Sequence, residues 1–315
     1  MRVFVAGGTG VVGRRLVSQL VARNHQVIAT TTSGNKLEFL GALGAETVVM
    51  DGLDPDAVRD AVVAAMPDVI VSEMTALAPE HAGRLNPLRP GRFFETTNRL
   101  RSEGTDNLVA AARAAGGAHL IAQSAALFNA TPVGGLVKTE DDPLEVPGAD
   151  AIYHLERAVR GAGGGVVRYG SLYGVGANDD QIDLLHKRMF PLIGRGRGHV
   201  SLVHADDAAT ATVLAVELRA EGVFNIVDDE PAPVADWLPY LAECTGAKPP
   251  RTVPTWLARP LAGEMMVTMM TSGSGFSNEK AKRELGWTLK YPSWRQGFRE
   301  FAEHATPEAA HEQGR

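Results

Sequence analysis

Two hydrophobic rhythms alternate through the first half of the chain. Short apolar runs occupy residues 3–6, 26–30, 47–50, 69–71, 119–122 and 166–168. Their length and β-branched content predict strands, and continuous apolarity suits a sheet covered on both faces. Between them, residues 11–22, 35–43, 55–65, 96–115 and 151–162 repeat apolar positions every three or four residues, the spacing of amphipathic helices. Strand–helix alternation predicts an α/β fold with a doubly wound parallel sheet and right-handed crossovers. The expected strand order is 3-2-1-4-5-6, with ligand over the carboxyl ends of the strands.

The rhythm breaks after Arg168. Residues 170–198 are glycine-rich with one helical stretch at 181–190. A helix follows at 206–217, with Asp206 or Asp207 placed to cap it, then a strand at 223–227 for the sheet edge. Beyond Pro231 the pattern is helical and punctuated by proline: 234–244, 256–270, 278–285 and 293–304. The organisation expected is a sheet domain over 1–170, to which 201–228 returns. Residues 171–200 and 229–304 would form a smaller, mostly helical substrate-binding lobe, and 305–315 a mobile tail.

The first strand runs into Gly7-Gly8-Thr9-Gly10-Val11-Val12-Gly13-Arg14. Glycines here permit unusual backbone angles and clear side chains from between peptide N–H groups and a ligand. A helix N-terminus follows, with unpaired donors and partial positive charge. Strand, glycine turn and helix together predict a diphosphate-binding loop.

Bulk properties narrow the function classes. The 315 residues carry 31 basic and 37 acidic side chains, a net charge of −6. That charge argues against nucleic acid or an anionic membrane as partner. Cys244 is the single cysteine, so no internal disulfide forms and a reducing compartment fits. There is no secretory-signal layout and no apolar run long enough to span a bilayer, so a cytoplasmic protein is expected. The Ala-, Gly- and Arg-rich composition suggests a bacterial, GC-rich source. Close Cys/His clusters and HExxH are absent, so no metal site is expected.

Several further motifs stand in order: Asp51-Gly52-Leu53 after the third strand, Ser124-Ala125-Ala126-Leu127-Phe128 after the fifth, Arg168-Tyr169-Gly170-Ser171-Leu172-Tyr173-Gly174 after the sixth, and His204-Ala205-Asp206-Asp207. With the glycine loop they resemble the extended and atypical short-chain dehydrogenase/reductases, the NAD-dependent epimerase/dehydratase family. The resemblance spans nearly the whole chain and implies a Rossmann fold and a nicotinamide cofactor. It places Gly7 and Thr9 to Arg14 (Gly10, Val11, Val12 and Gly13 between them) at the pyrophosphate. Asp51, Gly52 and Leu53 fall at the adenine, and Ser72, Glu73, Met74 and Thr75 along the adenosine ribose and the cofactor's midsection. Tyr169, Gly170 and Leu172 fall at the nicotinamide, and Ser124 matches the catalytic serine. A homodimer through 96–115 and 151–162 is also implied.

A carboxylate at the end of the second strand would favour NAD by bonding the ribose 2′-hydroxyl. This chain has Thr31, Thr32, Ser33 and Lys36 there, with Arg14 as a second cation. These groups suit a 2′-phosphate, so NADP is favoured, with NAD the alternative.

Members of the family usually pair a tyrosine with a lysine four residues later, and the ammonium helps the phenol exchange a proton. Here two registers compete. Tyr153 aligns with Arg157 in one; in the other His154-Leu155-Glu156 matches the family's Lys-Leu-Glu and puts Asp150 in the tyrosine's place. Ser124, Tyr153 and His154 are the catalytic candidates, with Tyr169 and Tyr173 as other sources of a phenol. In the lobe, Trp256, Leu257, Leu261, Met265, Met266, Met269 and Met270 suit either an apolar pocket or the lobe's own core, and 271–275 reads as a flexible gate. The expected function is an NAD(P)-dependent oxidoreductase of carbonyl reductase or alcohol dehydrogenase type acting on a small organic metabolite. The alternatives are an epimerase or dehydratase that retains its cofactor, and a non-redox or NADP-sensing protein.

Overall fold

The computed structural model describes residues 1–77, 90–126, 129, 135–146 and 148–304. Seven parallel strands form one sheet: β1 Arg2–Ala6, β2 Gln26–Thr31, β3 Glu46–Val49, β4 Val69–Ser72, β5 His119–Ala125, β6 Gly165–Tyr169 and β7 Gly222–Ile226. Their order is 7-6-5-4-1-2-3, the expected doubly wound arrangement with β7 on the edge. Val3 sits between Val27 of β2 and Val69 of β4, so the crossover direction reverses on either side of β1.

Successive side chains of a strand point to opposite faces, and β1 shows it. Val3 and Val5 enter one core with Leu16, Val17 and Leu20 of helix Val11–Ala22. Phe4 and Ala6 enter the other with Val58, Val62 and Leu108. Helix Pro55–Ala65 starts where Asp54 Oδ1 accepts the N–H groups of Asp56 and Ala57 and Pro55 takes the first turn. A third core belongs to the C-terminal region, around Trp237, Leu238, Leu241, Trp294 and Phe298. Two buried carboxylates tie that region to the sheet. Asp207 accepts Lys290 and Tyr291 N–H, and Asp228 accepts Glu230 and Trp294 N–H.

Several local expectations are corrected. Helix Ala205–Leu218 is capped by His204, whose ring nitrogen accepts Asp206 N–H; Asp206 pairs with Arg15 and Asp207 serves the anchor above. The helix expected at 96–115 begins at Pro90 and is interrupted by a π-helical turn at Leu100–Gly104. Helix Thr255–Ser272 is broken at Gly263, where φ is +81°. The predicted gate is largely packed: Gly273, Ser274 and Gly275 are buried, and Gly275–Phe276 pairs with Val137–Lys138. Asp228, on the segment before Pro231, is 1% exposed. Met270 lies in the lobe core and Met266 and Met269 pack on it, while Trp256 and Leu261 remain exposed. The tail at 305–315, and Leu127 and Phe128 of the fifth-strand motif, lie outside the described residues. None of the described helices is long and apolar enough to cross a membrane.

Candidate active site

At the carboxyl end of β1 the chain turns through Gly7, at φ +92°, and enters helix Val11–Ala22 at Gly10. A Cβ on Gly13 would stand 2.2 Å from the Gly7 carbonyl oxygen, and one on Gly7 would stand 2.8 Å from that of Glu73. Side chains at either place would push the loop open. The helix has no side-chain cap and no acidic residue in its first turn. Its leading amides therefore keep their donors and the dipole's positive end for an anion. Thr30 holds the loop to β2, its hydroxyl accepting Gly7 N–H at 3.2 Å while its carbonyl accepts Gly8 N–H at 3.0 Å. Thr30 was not among the residues the sequence singled out.

The turns after β3 and β4 meet. Asp51 Oδ1 accepts Leu53 N–H at 2.9 Å, and a Cβ on Gly52 would fall 2.4 Å from the Met74 sulfur. The Gly52 carbonyl accepts from Asn107 Nδ2, a further contact that sequence reading missed. Two stretches expected at the adenosine half of a dinucleotide thus form one wall. At the end of β2, Thr31 is buried and its hydroxyl accepts Ser33 N–H at 3.2 Å; Thr32 is exposed. Ser33 stands at the N-cap position of the turn Gly34–Lys36 but makes no side-chain cap bond. No carboxylate occurs on this segment. Arg14 does not join it: its guanidinium donates to the Gly176 carbonyl at 3.3 Å, across from the loop, and burial pulls it below its ordinary value.

Glu73 and Tyr169, expected at the cofactor, turn into the core instead. The Tyr169 hydroxyl donates to Glu73 Oε1 at 2.7 Å and lies 2.5 Å from Thr212 Oγ1. Burial drives the Glu73 carboxyl up to about 8, against the opposing pull of the Tyr169 bond. Gly170 remains at the sheet's edge, where a Cβ would press on the Ser201 carbonyl at 2.7 Å; Leu172 is half-buried beside the first core.

The proposed catalytic side chains are occupied as well. Ser124 has no exposed surface and donates to Glu156 Oε1 at 2.8 Å. Glu156 is held by Arg168 through two bonds of 2.7 Å, a bidentate pair 7% and 6% exposed. The buried triad was not anticipated, yet it left a signal: Glu156 lies on the helix stripe with Ile152, Leu155 and Val159. The Tyr153 hydroxyl is spent on the backbone of Val146, accepting its N–H at 2.9 Å. Asp150, His154 and Arg157 line one surface groove with Asn98 and Ser102, and Tyr153 is not among the residues that line it. His154 is fixed there by Asp106 at 2.9 Å. Tyr173 is buried among Phe298 and His204 with its hydroxyl unpaired. Among the described residues no cluster of metal-binding side chains occurs.

The geometry agrees with what the chain resembles. The family model "NAD dependent epimerase/dehydratase family" matches residues 3–227. A 3-diazoavenalumate denitrifying reductase from a Streptomyces species is 44% identical over 312 residues, covering 95% of this chain and 99% of that protein. A 2-alkyl-3-oxoalkanoate reductase from Stenotrophomonas maltophilia is 28% identical, covering 78% of this chain and 76% of that protein. Among solved structures, the human epimerase family protein SDR39U1 with NADPH superposes with a TM-score of 0.74 at 22% identity, covering 96% of this chain and 99% of that one. UDP-glucose 4-epimerase from Thermus thermophilus with NAD gives 0.74 at 21%, covering 96% and 98%. The chain belongs to the NAD dependent epimerase/dehydratase family, as an oxidoreductase built to work with a nicotinamide cofactor.

Proposed function

We propose that this protein is an NADP-dependent reductase whose substrate accepts hydride without needing a phenol to protonate it, the chemistry of an aryl diazonium carbon that exchanges N2 for hydride. The observation that carries this reading is the fate of the five tyrosines. The hydroxyls of Tyr153, Tyr169, Tyr240 and Tyr291 are bonded within the protein, to Val146, Glu73, Arg295 and Glu300, and that of Tyr173 is sealed in the lobe core. Ser124 is likewise committed to Glu156.

When bound, the nicotinamide supplies a hydride: to a ketone this leaves an alkoxide that needs a proton, whereas an aryl diazonium (Ar–N2+) would take the hydride on its ring carbon and release N2, giving Ar–H with no anion left to protonate. The relative at 44% identity acts, by its name, on a diazo compound. Residues Gly7 to Gly13 would hold the diphosphate on peptide amides, the space around Gly13 excluding any side chain. Thr31, Thr32, Ser33 and Lys36, with no acid among them, support a 2′-phosphate and hence NADP. The C-terminal region with its own core would cover the substrate, and a pair of chains would meet through helices Pro90–Arg99 and Asp150–Gly161.

A second reading keeps carbonyl reduction, with His154 as the acid. Its ring is 36% exposed in the groove and oriented by Asp106. The test uses purified protein with NADPH and, separately, an aryl diazonium carboxylate and a panel of 3-oxo acids. NADPH oxidation matched by N2 release on the diazonium compound alone supports the first reading. Turnover of 3-oxo acids that disappears in His154→Ala supports the second and overturns the first.

A further inference from the structure

Between helices Pro90–Arg99 and Thr105–Ala114 the chain makes the π-helical turn Leu100–Gly104. Such turns are rare and concentrate at functional positions. Thr97, Arg101 and Thr105 recur every fourth residue across the turn and are 0%, 7% and 2% exposed, so they make one inward stripe. Thr97 Oγ1 accepts the N–H of Ala76 at 3.0 Å, which fixes the stripe to the segment leaving β4. Beside it, Leu100 approaches Gly52, and Gly104 packs on Met74. The stripe therefore borders the carboxyl edge of the sheet, next to the wall expected at the dinucleotide.

Arg101 stands out in that stripe. Among the described residues it makes no hydrogen bond and no ion pair, and its Nε is buried without a partner. The Thr105 hydroxyl, one turn on, is also unpaired. Burial alone pulls the guanidinium down to about 10; no carboxylate acts on it. Arg168 makes the contrast: equally buried, it is met by both oxygens of Glu156. A desolvated cation with no counter-charge is among the costliest groups a fold can hold. Such a cost persists where a ligand supplies the missing charge.

We propose that Arg101 binds an anionic oxygen of the substrate where its stripe meets the carboxyl edge of the sheet. This rests on the reductase reading and narrows its substrate class to electrophiles carrying a carboxylate or an acidic hydroxyl. The guanidinium would anchor that oxygen by paired N–H donors, as arginine does with planar anions. The phosphates of the cofactor are the other source of anionic oxygen, but the amides after Gly10 already face a diphosphate.

The test compares wild type with Arg101→Met and Arg101→Lys. Three quantities are measured: calorimetric affinity for 4-hydroxycinnamate, a non-reducible anion; affinity for NADPH; and the melting temperature of the ligand-free protein. The Met variant is expected to bind the cinnamate at least tenfold more weakly, to keep NADPH affinity within twofold, and to melt higher because an unpaired charge is gone. The Lys variant should retain part of the cinnamate affinity. On any substrate turned over, KM should rise more than kcat falls. Unchanged cinnamate affinity, or none in the wild type at millimolar anion, overturns the proposal. A matching loss of NADPH affinity gives the guanidinium to the cofactor and overturns the substrate assignment. A lower melting temperature with unaltered binding marks a structural arginine. If no substrate consumes NADPH while Arg101 still governs cinnamate binding, the reductase reading fails and the anion site stands.

Discussion

The two ends of the site are built on opposite principles. At the dinucleotide end, polar groups are left unspent: helix Val11–Ala22 begins with no cap and no acid, and glycine keeps side chains away from its amides. Around the candidate catalytic residues the hydroxyls are spent on the protein itself, Ser124 on Glu156, Tyr153 on Val146, Tyr169 on Glu73. Unspent donors are free to meet a ligand, and spent ones belong to the fold's own hydrogen bonding. Arg101, on the stripe beside Gly52 and Met74, is another unspent group.

The comparison breaks most sharply at Glu156. Removing it with Glu156→Ala leaves Arg168 charged and unmatched in the core. The expected loss is about 3–5 kcal/mol of folding free energy, read by urea denaturation. A loss below about 1 kcal/mol would show that the triad is not structural and would free Ser124 for catalysis. Next in size is Gly13→Ala. Its methyl would overlap the Gly7 carbonyl, so NADPH affinity should fall at least a hundredfold, about 2.7 kcal/mol, in a calorimetric titration. Unchanged affinity would remove the loop from the cofactor site.

Glu73 sharpens the boundary between the two ends. Its carboxyl is raised by burial from an ordinary 4.5 to about 8. Between those values the folded protein keeps a proton that the unfolded chain releases. The stability this group contributes is therefore complete below about pH 4.5 and is lost as pH rises through 8. The slope is up to about 1.4 kcal/mol per pH unit. Glu73→Gln keeps a neutral partner for Tyr169 and should flatten that slope in melts taken from pH 5 to 9; an unaltered slope assigns it to other groups. The smallest effect is expected at Tyr153→Phe. Two bonds to Val146 go, one accepted from its N–H and a longer one donated to its carbonyl, a loss of about 1–2 kcal/mol, and turnover is unchanged. A tenfold fall in kcat would make Tyr153 the proton donor and erase the contrast.

The sheet and its strand order were legible because they depend on local periodicity: apolar runs such as 69–71 and helical stripes such as 55–65 place their own residues. The glycine turn was legible for the same reason, since it depends on close backbone approaches at Gly7 and Gly13 that the spacing shows. Side-chain roles were not. Ser124 matches a family motif, but its partner lies 32 residues away in sequence, and only the packing of helix Asp150–Gly161 on β5 turns Glu156 toward it. Tyr169 looked like a nicotinamide contact and became a core hydroxyl, because strand parity sends it to the face where Glu73 and Thr212 wait.

What the sequence settled by itself is the α/β architecture, the order of its strands and the strand–glycine turn–helix unit that opens the sheet, for those follow from residue spacing over a few turns. Tertiary structure alone decided which polar groups are neutralised and which are left over. Whether a hydroxyl or a guanidinium finds a partner depends on residues brought from distant strands and helices, and that distribution, with Arg101 left unmatched, is what local pattern does not encode.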